Sequence, residues 1–242
     1  MVRVMPRSAH LYKIDPEVVN EVVNILMQEG REYIYNKEKN LGLYIRSVTK
    51  SNEYSIIEIL IDYIISVPHK ERKDGEIIIK EEEVKSVDLL TTVYIPKVRG
   101  SSEIDHVLIM LSKRSLAKLF AYAIEKIIGK TVLLKIQFDF SPSKQQAIVN
   151  QFDDIVRITS DDVNDIRIIG LTLKGHSLHA AQEFKKAFTG IVKYLGVRIG
   201  DEWFLLSREG RILTYKPLSD YAFIEHIRNI LTRLAHAQAI VI

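Results

Sequence analysis

Valines and a leucine recur at helical spacing near the start of the chain: Val19, Val22, Val23 and Leu26. Asp15 and Pro16 precede them as a cap and a first-turn residue, and Gly30 follows as a left-handed stop. The pattern then changes to strands. Glu32–Tyr35 and Leu41–Val48 flank a polar turn at Asn36–Asn40. Tyr54–Val67 is isoleucine-rich and reads as one long buried strand, ended by Pro68. The charged stretch from His69 to Asp88 holds a turn signal at Asp74-Gly75, a short strand at Ile77–Ile79 and the acidic run Glu81–Glu83. Leu89–Ile95 is a further strand, stopped by Pro96.

Gly100-Ser101-Ser102 reads as a linker, and the texture changes after it. His106–Leu111 is a buried strand. Ser115–Ile128 is an amphipathic helix with Leu116, Leu119, Phe120, Ala123 and Ile127 on its apolar side, ended by Gly129. Thr131–Phe138 is a strand, Pro142 opens a helix to Phe152, and Ile155–Thr159 is a short strand. Ile166–Leu173 leads through Gly175 into a helix at Leu178–Phe188. Ile191–Ile199, Trp203–Ser207 and Arg211–Tyr215 form hairpins turned by Gly200-Asp201 and Glu209-Gly210, and Tyr221–Leu234 is the last helix. The expected class is α+β. Residues 1–99 make a lobe of one helix and a β-rich meander. Residues 100–242 make a mixed α/β lobe with C-terminal hairpins and a final helix.

Composition narrows the chemistry. The 242 residues include no cysteine, which removes disulfides, thiolate metal sites and a cysteine nucleophile. Thirty-four isoleucines with many Lys and Glu point toward a thermophile. The first ten residues lack a signal-peptide core, and the apolar stretch Ile56–Val67 is short and broken by Glu58 and Asp62. The expectation is a cytoplasmic protein without membrane contact.

Several catalytic patterns come close and fall short. Gly170 to Ser177 has P-loop spacing between a strand and a helix, but His176 replaces the phosphate-binding lysine and Leu171, Thr172 and Leu173 continue the strand. His176, His179 and Glu183 share one helix face with metal-ligand spacing, without a further ligand in view. A metal-dependent nuclease could draw on Asp105, Asp139 and Glu183, yet the strands nearby lack the Glu-x-Lys such a core needs, and Glu183-Phe184-Lys185 sits on a helix. Asp153, Asp154, Asp161, Asp162 and Asp165 cluster in sequence as further acidic candidates, of which Asp161–Asp165 reads as a surface loop capping a helix or strand. No nucleophile elbow and no dinucleotide fingerprint occur. No catalytic residue and no cofactor are expected.

Charge supplies the remaining signal. Residues 51–100 hold ten acids and seven bases, whereas residues 101–150 hold four acids and seven bases. The candidate phosphate contacts are Lys113, Arg114, Lys118, Lys126, Lys130, Lys144, Lys185, Lys186, Arg208 and Arg211. Tyr44, Tyr194, Trp203 and Tyr215 lie on expected strands and could stack on bases. The tail from Ala235 to Ile242 is apolar and must dock, into a sheet of this chain or onto a protein partner.

The order of elements resembles that of the archaeal proteins that accompany short Argonautes. It runs from a capped helix at Asp15-Pro16, through a β-rich half to Pro96, to a mixed α/β half. The stretches Ile168-Ile169-Gly170-Leu171-Thr172-Leu173-Lys174-Gly175 and Leu206-Ser207-Arg208-Glu209-Gly210-Arg211-Ile212 are similar in character to that group. The resemblance implies a non-catalytic accessory subunit in defence against mobile elements. Such a subunit would bind a protein partner and help hold guide and target strands. It transfers no site residue. A metal-dependent nuclease with a degenerate acidic site and a purely structural interaction subunit are the alternatives.

Overall fold

The computed structural model describes residues 7–15, 17–73, 76–97, 107–161 and 170–241. In chain order the first elements are β1 (Arg7–Ile14), α1 (Val19–Leu26), β2 (Glu32–Asn36), β3 (Leu41–Lys50), β4 (Tyr54–Lys73), β5 (Glu76–Pro96), β6 (Val107–Leu111) and α2 (Arg114–Ile128). Then come β7 (Leu133–Lys135), β8 (Gln137–Phe138), α3 (Gln145–Val149), β9 (Asp154–Asp161), β10 (Gly170–Lys174) and α4 (Gln182–Ala187). The last are β11 (Ile191–Ile199), β12 (Glu202–Ser207), β13 (Arg211–Thr214), α5 (Asp220–His236) and β14 (Ile240–Val241). The class is α+β, with strand outweighing helix and the strands pairing antiparallel. No helix among the described residues is long and apolar enough to cross a membrane.

The chain divides into two compact units that interleave in sequence, unlike the contiguous lobes expected on either side of residue 100. One gathers residues 15–97 and 114–133, the other 1–14, 98–113 and 134–242. The expected linker Gly100-Ser101-Ser102, with Asp105 and His106, lies outside the described residues, as do Pro16, Asp74-Gly75 and 162–169.

In the unit of residues 15–97 and 114–133, β2 to β5 form an antiparallel meander. Leu43, Ile45, Ile57, Ile59, Ile61 and Val93 alternate inward and are buried. Helices α1 and α2 add Val22, Leu26, Phe120, Ala123 and Ile124 to this unit's core. Tyr35 of β2 meets Tyr122 of α2 edge to face, with ring centroids 6.2 Å apart. Asp15 caps a turn ahead of the helix rather than the helix itself. Its Oδ1 accepts the Glu17 N–H at 3.0 Å, and α1 starts only after Val18.

Pro68 does not end its strand. β4 runs on to Lys73 and pairs with β5 from Tyr54–Pro96 to Lys73–Glu76, so the two expected strands 77–79 and 89–95 are one. Pairing with β3 stops at Ile61, so Pro68 sits where β4 is an edge of this unit's sheet and a missing N–H breaks no bond with β3.

In the other unit the strand order is β10-β9-β11-β12-β13-β1-β6. β1 is an element that the hydrophobic pattern does not reveal. Its RSAHLYKI sequence does not alternate, because both Ala9 and His10 are buried. One face of this sheet is the core: Ile155, Ile158, Leu195, Val197, Phe204, Leu206 and Ile212 are all nearly inaccessible. Helix α5, capped by Ser219 Oγ accepting the Ala222 N–H, stacks Phe223 on Phe204 with centroids 6.4 Å apart. Each such fully buried aromatic contributes about 1.5–3 kcal/mol.

Three expected elements of this unit are shorter than the pattern suggests. The strand expected over Thr131–Phe138 is split into β7 and β8. The helix from Pro142 is a 3-10 turn followed by α3, and that from Leu178 a 3-10 turn followed by α4. The apolar tail docks within the chain. Ile240 pairs with Phe138, and the Asp139 N–H donates to Ala239 O at 2.9 Å.

Candidate nucleic-acid interface

The face of the β10–β9–β11–β12–β13 sheet opposite Phe204 and Leu206 follows from the register. Arg157 pairs with Gly196, Thr159 with Tyr194, Asp154 with Arg198, Arg198 with Trp203, and Lys174 with Arg157. Residues facing each other across antiparallel strands share a face. The non-core face therefore carries Lys174 and Thr172 on β10, and Arg157 and Thr159 on β9. β11 adds Tyr194, Gly196 and Arg198, and β12 adds Trp203 together with the buried Leu205 and Ser207. Tyr215 follows β13 and joins them by stacking on Trp203, with centroids 5.5 Å apart and planes 23° apart. Lys174, Thr172 and Tyr215 are exposed, while Arg157, Tyr194, Arg198 and Trp203 are half-buried.

The setting of these groups is firm. Thr214 Oγ1 donates to Trp203 O at 3.4 Å. Lys216 donates to Asp201 O at 3.0 Å and to Glu202 Oε1 at 3.1 Å, beside the stacked pair. Gly196 leaves room for Arg157: an added Cβ would lie 2.7 Å from Arg157 Cβ and 3.1 Å from its backbone N. The Nε atoms of Arg157 and Arg198 are buried and find no hydrogen-bond partner among the described residues. Buried donors of that kind are uncommon and mark places where polar chemistry is incomplete.

At one end of this face stands Asp154, 3% exposed. Its Oδ1 accepts the Ser177 N–H at 2.8 Å, and Arg198 approaches Oδ2 at 3.8 Å. His176 and His179 place Nδ1 at 3.7 and 4.0 Å from its carboxylate oxygens. The P-loop-like segment is thus closed by the chain's own carboxylate, which takes the backbone donor a phosphate would need. Glu183 is exposed on α4. Among the described residues no three His, Asp or Glu side chains are placed to hold a metal ion. Next in sequence, Asp153 accepts the Gly200 N–H at 2.6 Å. That bond first, and Arg233 second, hold its carboxyl below the usual carboxylate range.

The basic residues singled out by sequence divide between the units. Arg114, Lys118, Lys126 and Lys130 gather along the exposed side of α2 and its end, with Lys126 over the Tyr122 ring at 5.4 Å. The others belong to the unit with the aromatic face. Lys113 is exposed ahead of α2, and Lys185 and Lys186 are exposed on α4. Lys144 lies in the turn before α3 and donates to Gln238 Oε1 at 3.4 Å. Arg211 is half-buried and donates from Nε to Ser8 Oγ at 3.0 Å. Arg208 is exposed after β12 and has no side-chain partner among the described residues. Of the four strand aromatics, the structure brings Tyr194, Trp203 and Tyr215 to one face, while Tyr44 belongs to the other unit. Arg157, Arg198 and Lys174 do not stand out by sequence. For Arg198 a signal lies in the alternation Tyr194-x-Gly196-x-Arg198, with a glycine between two large polar residues.

No protein-family model matches the chain, and no curated protein matches it. The chemical reading therefore rests on the face itself. Flat rings beside guanidinium groups, an ammonium and hydroxyls suit the stacking of bases and the tracking of phosphates.

Proposed function

We propose that the chain is a non-catalytic accessory subunit that binds a protein partner and lays single-stranded nucleic acid across this sheet face. The observation that carries the nucleic-acid part is the Trp203–Tyr215 stack with Arg198 on the adjoining strand and Arg157 beyond it. Stacking on aromatic rings is sequence-tolerant and worth about 1–3 kcal/mol per base, and cations alongside add a salt-dependent term. Lys113, Lys144, Lys185, Lys186, Arg208 and Arg211 add phosphate contacts for a longer strand, and the α2 bases Arg114, Lys118, Lys126 and Lys130 supply a second basic surface. The likeness in layout to the partners of short Argonautes supports the accessory role, in the cytoplasm, within defence against mobile elements.

Capture of the tagged protein from its native cells, with and without nuclease treatment, tests the reading. A stoichiometric partner that survives nuclease, together with short strands lost to it, is the expected result. A protein that comes down alone and free of nucleic acid overturns it.

A further inference from the structure

A cavity of about 180 Å³ opens at the other end of the same sheet from Trp203, lined by Asp139, Phe140, Ser141, Pro142, Gly190, Ile191, Val192 and Arg208. It is smaller than a drug-sized site and suits one flat ring system. Phe140, Pro142, Ile191 and Val192 make its apolar walls. Two charges of opposite sign also line it, Asp139 and Arg208, and among the described residues neither forms an ion pair. Asp139 is oriented from behind, its Oδ1 accepting the Ser141 N–H at 2.9 Å. Backbone bonds fix Arg208, whose N–H donates to Lys193 O at 3.0 Å and whose carbonyl accepts the Phe138 N–H at 2.9 Å. Arg208 directly follows β12, which begins beside Trp203, so backbone about 17 Å long separates the two.

The two charged groups specify complementary edges. An ionised carboxylate only accepts and a guanidinium only donates. Guanine is the base with two donors side by side, N1–H and N2–H, for the two oxygens of a carboxylate. It also keeps two acceptors, O6 and N7, for a guanidinium fork. We infer that this cavity takes one guanine of the bound strand, with Asp139 on its N1–H/N2–H edge and Arg208 on O6 and N7. The inference rests on the single-strand reading above and makes it specific at one position.

The test uses the full chain and fluorescein-labelled single-stranded oligonucleotides read by anisotropy, an all-uridine strand against the same strand with one guanosine, adenosine or cytidine. Saturation-transfer NMR with free guanosine and uridine monophosphates runs alongside. Guanosine should raise affinity roughly tenfold over uridine. Asp139→Asn keeps an acceptor for the Ser141 N–H and should bring guanosine to within about twofold of uridine, while binding of the all-uridine strand is unchanged. Arg208→Gln, at an exposed side chain that also supplies a phosphate contact, should likewise bring guanosine to within about twofold of uridine while lowering the affinity of all four strands together. Equal affinity for all four strands overturns the guanine site while leaving the strand-binding face standing. Binding of guanosine monophosphate without any strand binding keeps the cavity assignment and overturns the face. Binding of neither overturns both.

Discussion

Trp203 and Tyr215 stack across neighbouring strands, and Arg198 sits directly opposite Trp203 on the third. A core would have turned both rings inward. Here the core side of the same strands is filled by Phe204 and Leu206 against α5, so the indole and phenol are left on the opposite face, beside the buried Leu205 and Leu213.

Replacing Trp203 by Leu or Tyr215 by Ala should weaken binding of a short single strand by about 1–3 kcal/mol, roughly 5- to 150-fold. Circular dichroism should show an unchanged fold for Tyr215→Ala, since that ring is 45% exposed. Anisotropy with a labelled oligonucleotide reads the loss. Unaltered affinity in both variants would remove the rings from the interface.

Arg157→Gln and Arg198→Gln should each flatten the dependence of log affinity on log salt by about 0.7 for every phosphate left without its cation. Neutralising Lys113, Arg114 and Lys118 together should lower affinity for a strand of about 20 nucleotides and flatten its salt slope in the same way. Titrations at several salt concentrations measure both. A steep slope preserved in every variant would place the phosphate path elsewhere.

The two halves of this interface differ in how far sequence can show them. Alternation from Ile191 to Ser207 and the turn at Gly200-Asp201 mark the hairpin, and Tyr194, Trp203 and Tyr215 stand out on it. Arg157 and Arg198 do not, because their meeting depends on the pairing of β9 with β11, where two bulges shift the register. Pro68 misleads for a related reason. Whether a proline breaks a strand depends on which edge is paired, a tertiary fact. Residues 114–133 cluster with the meander although they follow it by a long stretch of chain, which no local composition encodes.

Two glycines should be intolerant of a side chain, with different readouts. Gly210 has φ 65°, and an added Cβ would lie 1.9 Å from Ile136 O, so Gly210→Ala should cost about 2 kcal/mol or more and lower the Tm. Gly196→Ala displaces Arg157 and should reduce strand affinity as well as stability. Thermal melts and anisotropy on the two variants separate these effects.

Tyr35 gives a pH signature. Its hydroxyl donates to Asp62 O at 2.6 Å, and burial, followed by Asp62 and Tyr122, pushes its pKa up to about 12. The folded state holds this proton more tightly than the unfolded chain, where tyrosine titrates near ~10. The stability it contributes is therefore present below pH ~10 and is lost as pH rises through about 12. Ultraviolet titration should show a late-ionising step, and Tyr35→Phe should reduce it by one tyrosine. A late step of the same size in the Tyr35→Phe variant would contradict the burial of this hydroxyl.

Because Trp203 is the single tryptophan of the chain, its emission reports on the interface alone. The decisive measurement is its fluorescence during titration with a single-stranded oligonucleotide at low and high salt. Quenching should saturate and should weaken as salt rises. An emission spectrum that stays unchanged at saturating oligonucleotide would contradict this interface.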